Sequence, residues 1–96
     1  MSFFNIFVND KGLREFSDTP GAVLLDVRSP QEFREGNLPS SVNFPLQEID
    51  RLAHRIEDKD TPIFLYCRSG ARSSKAATIL RHLGFTRVKN LGGIAP

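Results

Sequence analysis

Residues 63 to 74 read Ile63-Phe64-Leu65-Tyr66-Cys67-Arg68-Ser69-Gly70-Ala71-Arg72-Ser73-Ser74. Four apolar residues run straight into the only cysteine of the chain. A short loop with two arginines, a glycine and serines follows, and a helical pattern takes over at Lys75-Ala76-Ala77-Thr78-Ile79-Leu80. A continuous apolar run bounded by turn signals reads as a buried strand of a parallel sheet. Cys67 therefore stands at the carboxyl end of a strand and just ahead of a helix N-terminus. That edge is where open α/β sheets bind ligands.

A helix N-terminus offers unpaired N–H groups and a partial positive charge. A loop that turns back on itself aims further N–H groups inward, and Gly70 opens backbone angles closed to other residues. Arg68 and Arg72 add full charges. Together these features favour thiolate over thiol at Cys67, and the thiolate is the nucleophile. The same donors suit an anionic substrate beside the sulfur. A lone cysteine can also be an inert core residue, but two arginines and a glycine are not the lining of a dry pocket.

The 96 residues suffice for one domain with a single core and no disulfide staple. A net charge of +2, without a dense Lys/Arg run, argues against a nucleic-acid partner. One cysteine and two histidines permit no internal disulfide and do not make up a structural zinc site, so neither metal nor cofactor is expected. No apolar run reaches membrane-spanning length. Met1-Ser2-Phe3-Phe4-Asn5-Ile6-Phe7 lacks the basic start of a signal peptide, which leaves the reducing cytoplasm as the expected location.

Outward from the central stretch, residues 3–8 read as a short edge strand. Asn9 or Asp10 then caps a short helix with Leu13 and Phe16 facing inward. Ala22-Val23-Leu24-Leu25-Asp26-Val27 is a second apolar strand. Asp26, near its end, needs a hydrogen-bonding partner, expected in a neighbouring loop. Ser29, Pro30 and Glu32 spell a helix start with a capping box, and Arg28 and Glu32 are placed for a local ion pair. Val42-Asn43-Phe44 is a brief strand. Leu46, Ile49, Leu52, Ala53 and Ile56 have helical spacing, with His54 off the stripe and in solvent. The helix after the loop should run from about Ser73 to Leu83, capped by Gly84. His82 then lies roughly 13 Å along its axis from Ser73, too far to serve Cys67 as a base. Thr86 to Leu91 forms a last strand. Gly92-Gly93 follows and lets the backbone pass close to the cysteine loop. Strands alternating with helices imply a parallel α/β sheet.

Several of these pieces, in this order, resemble the rhodanese (thiosulfate sulfurtransferase) homology domain. They are Leu24-Leu25-Asp26-Val27-Arg28, Glu32-Phe33, Gly36-Asn37-Leu38-Pro39-Ser40-Ser41-Val42-Asn43-Phe44-Pro45, Tyr66 to Ser73, and Asn90-Leu91-Gly92-Gly93. The likeness runs from about Phe3 to the C-terminus. It implies a rhodanese-like open parallel sheet of about five short strands with helices on both faces, formed by residues 1–96 as one domain. It also implies a sulfurtransferase without a cofactor. Cys67 matches the sulfur carrier that stands as a persulfide. Arg68, Ser69, Gly70, Ala71, Arg72 and Ser73 match the substrate-binding loop, and Asp26 and Arg28 are supporting residues. The implied partners are a small anionic sulfur donor such as thiosulfate and a thiol or cyanide acceptor, with a persulfidated protein as a further donor. The same fold also serves as a non-enzymatic sulfur carrier or interaction module. Related phosphatases and arsenate reductases use C-x5-R, whereas Cys67 to Arg72 is C-x4-R, a tighter loop suited to a sulfur atom. The family often carries His at the position of Asn37 and Gly at that of Ser40.

Overall fold

The computed structural model describes residues 5–6 and 10–95. Its elements are β1 (Asn5–Ile6), α1 (Asp10–Asp18), β2 (Val23–Asp26), α2 (Pro30–Glu35), β3 (Ser41–Asn43), a 3-10 helix (Leu46–His54), β4 (Ile63–Cys67), α3 (Ala71–His82) and β5 (Val88–Ala95). The strands lie in the order β1-β5-β4-β2-β3. β3, β2, β4 and β5 are parallel, and β1 runs antiparallel to β5, with Asn5 opposite Ala95. The sheet is thus parallel except at this edge. β1 does not follow its neighbour in the chain, so no crossover connection dictates its direction. Of the edge strand expected over residues 3–8, only Asn5 and Ile6 are among the described residues.

The two-residue period of the strands sorts the core. Leu25, Ile63, Leu65 and Cys67 face one side and pack with Ile49, Leu52, Ala76, Ala77, Leu80 and Phe85. Leu24, Phe64, Tyr66 and Leu91 face the other, where Leu13 and Phe16 of α1 cover them. Phe16 meets Phe64 edge-on, with ring centroids 5.6 Å apart. β4, in the middle of the sheet, is buried at all five positions, as a strand covered on both faces must be.

Local signals explain most of the boundaries. Ser29 caps α2: its hydroxyl accepts from the Glu32 N–H (3.2 Å), and the Glu32 carboxylate accepts from the Ser29 N–H (3.0 Å). The helical spacing after Pro45 winds as a 3-10 helix. Leu46, Ile49 and Leu52 are spaced by three, so a three-residue turn stacks them in one line against the core. α3 ends as a Schellman motif. Gly84, at φ +100°, follows the cap residue Leu83 and donates to Arg81, while Phe85 donates to Leu80. Among the described residues, Ser40 is the one non-glycine with positive φ (69°), at the position where the resembling family often carries glycine. Among these residues no helix is long and apolar enough to cross a membrane.

One buried ion pair ties the strand ends together. Asp26 is 0% exposed and Arg28 3%. The Arg28 guanidinium donates to both Asp26 oxygens (Nε–Oδ1 3.0 Å, Nη2–Oδ2 2.7 Å), and the Arg28 N–H donates to Oδ1 at 2.9 Å. Nη2 also reaches the Gly36 carbonyl at 2.6 Å, and the guanidinium carbon stands 5.8 Å from the Tyr66 ring centroid. The local pair expected between Arg28 and Glu32 is therefore not the one formed. Arg28 turns back to the carboxylate two residues before it, because that carboxylate is buried and needs a partner. Asn43 donates to the carbonyls of Asp26 and Arg28, fixing β3 to the same corner. Asp26→Asn removes the charge and leaves a buried guanidinium uncompensated. Urea denaturation should show a loss of about 3 kcal/mol or more.

Candidate active site

The site starts where β4 stops. β4 delivers Cys67 to the sheet edge with 0% of its surface exposed. Gly70, at φ +95°, reverses the chain, and α3 begins at Ala71. That start is two residues earlier than the sequence reading placed it. The left-handed angle at Gly70 folds the first helical turn directly over the sulfur. The Gly70 N–H donates to Cys67 Sγ at 3.0 Å and the Ser73 N–H at 3.4 Å. The Ser73 hydroxyl, fully buried, lies 3.4 Å from the same sulfur.

These contacts set the state of the thiol. Burial is the largest single influence and pushes its pKa up. The Ser73 hydroxyl and the N–H groups of Ser73, Gly70 and Ser69 together outweigh burial and leave it below the ordinary value of 9.0. Ser73 has one hydroxyl proton and a competing acceptor, Asn90 Oδ1, at 2.7 Å. The shortest dedicated donor to sulfur is thus the Gly70 backbone. Neutral donors, the Ser73 hydroxyl first and then the backbone N–H groups, supply the effect that the sequence reading shared with the two arginines.

β5 supports the loop from beneath. It does not end at Leu91 but continues to Ala95 through an irregularity, because Leu65 pairs with Asn90 whereas Cys67 pairs with Gly93. Gly92, at φ +105°, takes up the extra length. A Cβ on Gly93 would overlap the Arg68 carbonyl and stand 2.8 Å from Ser69 Cα. The expected close passage of Gly92-Gly93 is present, inside the strand rather than after it. Asn90 joins the pieces: its Oδ1 accepts from Ser73 Oγ and from the Gly92 N–H (3.0 Å), and its Nδ2 donates to the Gly70 carbonyl at 3.3 Å. Sequence reasoning did not single Asn90 out as a site residue. Its signal was an amide side chain two residues ahead of a pair of glycines, in the strand expected to pass the cysteine loop.

The charged groups are placed unequally. Arg68 is exposed. Arg72 is half-buried and locked by two parallel bonds to Glu32, Nη1–Oε1 at 2.7 Å and Nη2–Oε2 at 2.9 Å. The Arg72 hydrogen bond is the chief reason that the Glu32 carboxyl is held down at about 2. Ser69 and Ala71 complete the loop, and the Ala71 N–H lies 3.4 Å from Ser69 Oγ. Asp26 ends the adjacent strand β2, Arg28 lies just past it, and Tyr66 precedes Cys67 in β4, opposite Asp26. The Tyr66 hydroxyl accepts from the Leu38 N–H (3.1 Å) and donates to Ser41 (2.9 Å), and burial pushes its pKa up to about 12. These residues brace the 36–41 loop and do not touch the sulfur. Asn37 donates to the Phe33 carbonyl at 2.8 Å, a local turn contact. His54 and His82 are both exposed.

A cysteine held under a helix N-terminus at the edge of a parallel sheet defines a class of proteins that use a stabilised sulfur anion. The family model for the rhodanese-like domain matches residues 3–95, and the chain belongs to that family. It is 35% identical over 71 residues to the thiosulfate sulfurtransferase PspE of Escherichia coli, covering 73% of this chain and 68% of that one. It is 38% identical over 80 residues to a sulfurtransferase of Allochromatium vinosum, covering 83% and 74%. The solved structure of the human single-domain sulfurtransferase TSTD1 superimposes with a TM-score of 0.73 at 26% identity, covering 86% of this chain and 85% of that one. These likenesses support sulfurtransferase activity in general terms.

Ser73→Ala should raise the pKa of Cys67, because the hydroxyl that its sulfur shares with Asn90 is the largest influence lowering it, and burial stays. Alkylation by iodoacetamide, followed against pH, should inflect at a higher pH than in the wild type. The rate near neutrality should fall severalfold.

Proposed function

We propose that this chain, acting as one domain, is a rhodanese-type sulfurtransferase that carries sulfane sulfur on Cys67. In the first half-reaction the Cys67 thiolate attacks the outer sulfur of thiosulfate or of another sulfane donor. A new S–S bond forms on Cys67, the donor's S–S bond breaks, and sulfite or a thiolate leaves with the electron pair. In the second, cyanide or a thiolate attacks the outer sulfur. The Cys67 S–S bond breaks and the thiolate returns. Two displacements through a covalent intermediate give ping-pong kinetics. The donors that lower the Cys67 pKa favour its anion without a general base, which accords with the exposure of both histidines.

The observation that carries this reading is the convergence of the Gly70 and Ser73 N–H groups on Cys67 Sγ, at 3.0 and 3.4 Å. Donors aimed at a sulfur anion stabilise the thiolate, and the same loop from Arg68 to Ser73 can hold the terminal sulfur of a persulfide. Arg68 is the cation open to an anionic donor. Arg72 closes the loop, and Asp26 and Arg28 keep the neighbouring strand end in place. A persulfidated protein fits the donor role as well as thiosulfate does, and the cytoplasm is the compartment in which a lone thiol stays reduced. An oxyanion-transferring role needs the arginine at the loop end free to grip its substrate, and Arg72 is instead paired with Glu32.

The direct test is intact mass spectrometry after incubation with thiosulfate. Wild-type protein should gain one sulfur, about 32 Da, as the covalent intermediate requires. Cyanide should remove it, and Cys67→Ser should never acquire it. Absence of the adduct with thiosulfate, polysulfide and low-molecular-weight persulfides alike overturns the proposal.

A further inference from the structure

The geometry points to Glu32 as the residue that sets which charge of sulfur donor the site accepts. We propose that its carboxylate masks Arg72, so that an incoming donor meets one full positive charge, Arg68, instead of two. The pocket then disfavours dianionic donors relative to those with a single negative charge beside the transferable sulfur. The consequence for substrate rests on the sulfurtransferase reading, whereas the masking itself does not.

Three observations carry it. First, Arg72 is the second residue of α3, and a cation in the first turn of a helix opposes the macrodipole. Its backbone adjoins the Cys67 cradle, since Ser73 next to it donates its N–H to the sulfur at 3.4 Å, and its guanidinium is close enough to interact electrostatically with Cys67. Left bare, that guanidinium would present its charge to any anion approaching the loop. Second, the Glu32 carboxylate takes both of its forward donors in a fork-to-fork pair at 2.7 and 2.9 Å. This is the geometry in which a guanidinium is most fully engaged. Third, Glu32 is not a mobile surface acid that happens to lie nearby. Its Oε1 also accepts from the Ser29 N–H at 3.0 Å, so the capping box of α2 holds the carboxylate independently of Arg72. Arg68, by contrast, is exposed and has no ion-pair partner among the described residues. Arg68 at +1, Arg72 at +1 and Glu32 at −1 leave one net positive charge at the loop. A loop read by sequence alone shows two.

Glu32→Gln tests this without undoing the helix start, because glutamine also closes a capping box at that position. Cys67 is the only cysteine, so its alkylation reports the local field directly. The rates with iodoacetate, an anion, and iodoacetamide, its neutral counterpart, share the access step and the thiolate fraction, and their ratio isolates charge. At low salt Glu32→Gln should raise the iodoacetate-to-iodoacetamide ratio about tenfold, a size set by partial exposure of the pair, and added salt should shrink the gain. Arg72→Gln, which leaves Glu32 uncompensated, should lower the ratio below wild type. The double variant should return near it. In turnover, kcat/KM for thiosulfate relative to benzenethiosulfonate, which carries one charge fewer, should rise in Glu32→Gln. An unchanged alkylation ratio in Glu32→Gln overturns the inference. So does a fall in both rates by the same factor, which marks Glu32 as a brace only. Failure of the wild type to take up sulfur from any donor counts against the sulfurtransferase reading, while the alkylation ratio still decides the mask.

Discussion

The loop over Cys67 depends on two backbones touching. Gly93 lies opposite Cys67 in the sheet, so close under Arg68 and Ser69 that no side chain fits between them. This contact has a physical consequence above it. A loop that rests on another strand's backbone does not need to fill its own interior with side chains, and its N–H groups are free to point inward at the sulfur. The irregular pairing between Leu65 and Cys67, with Gly92 at positive φ, brings Gly93 into that position and leaves Asn90 beside the loop. Asn90 then uses both ends of its amide, accepting from Ser73 and Gly92 and donating to Gly70. The thiolate-stabilising cradle is thus a product of strand packing as much as of the loop's own residues.

Two ion pairs frame the site and differ in kind. Asp26 and Arg28 are removed from water, and such a pair must satisfy nearly all its donors and acceptors to be tolerated. It does so through Gly36, the Arg28 N–H and the face of Tyr66. Glu32 and Arg72 remain partly in contact with solvent, so their attraction is screened and contributes less to stability. Their importance lies in local potential. A cation near a helix N-terminus is offset by an anion delivered from the start of a different helix.

Sequence pattern revealed the central elements because their signals are local. The apolar run into Cys67, the Ser29-Pro30-Glu32 helix start and the two glycines before Ile94 each announce themselves within a few residues. The fold family and the cysteine cradle followed from them. What stayed hidden depends on distance along the chain. Glu32 and Arg72 are 40 residues apart, and nothing near either predicts the other. Reading by proximity assigned Glu32 to Arg28 instead, since short spacings are the pairings a single sequence offers. The direction of β1 was hidden for a similar reason, as an edge strand's orientation is decided by the partner it meets. The 3-10 winding of residues 46–54 was ambiguous because spacings of three fit both helix types.

The complete burial of Cys67 separates two properties that usually travel together. Susceptibility of a cysteine to peroxide rises with thiolate character and with exposure. Here hydrogen-bond donors shift the sulfur toward the first, while 0% of its surface is open. Irreversible oxidation to the sulfinic and sulfonic states requires several successive attacks on the same atom. Each must reach an atom covered by Gly70 and Ser73. Burial therefore opposes over-oxidation of this sulfur even where its N–H donors favour the thiolate.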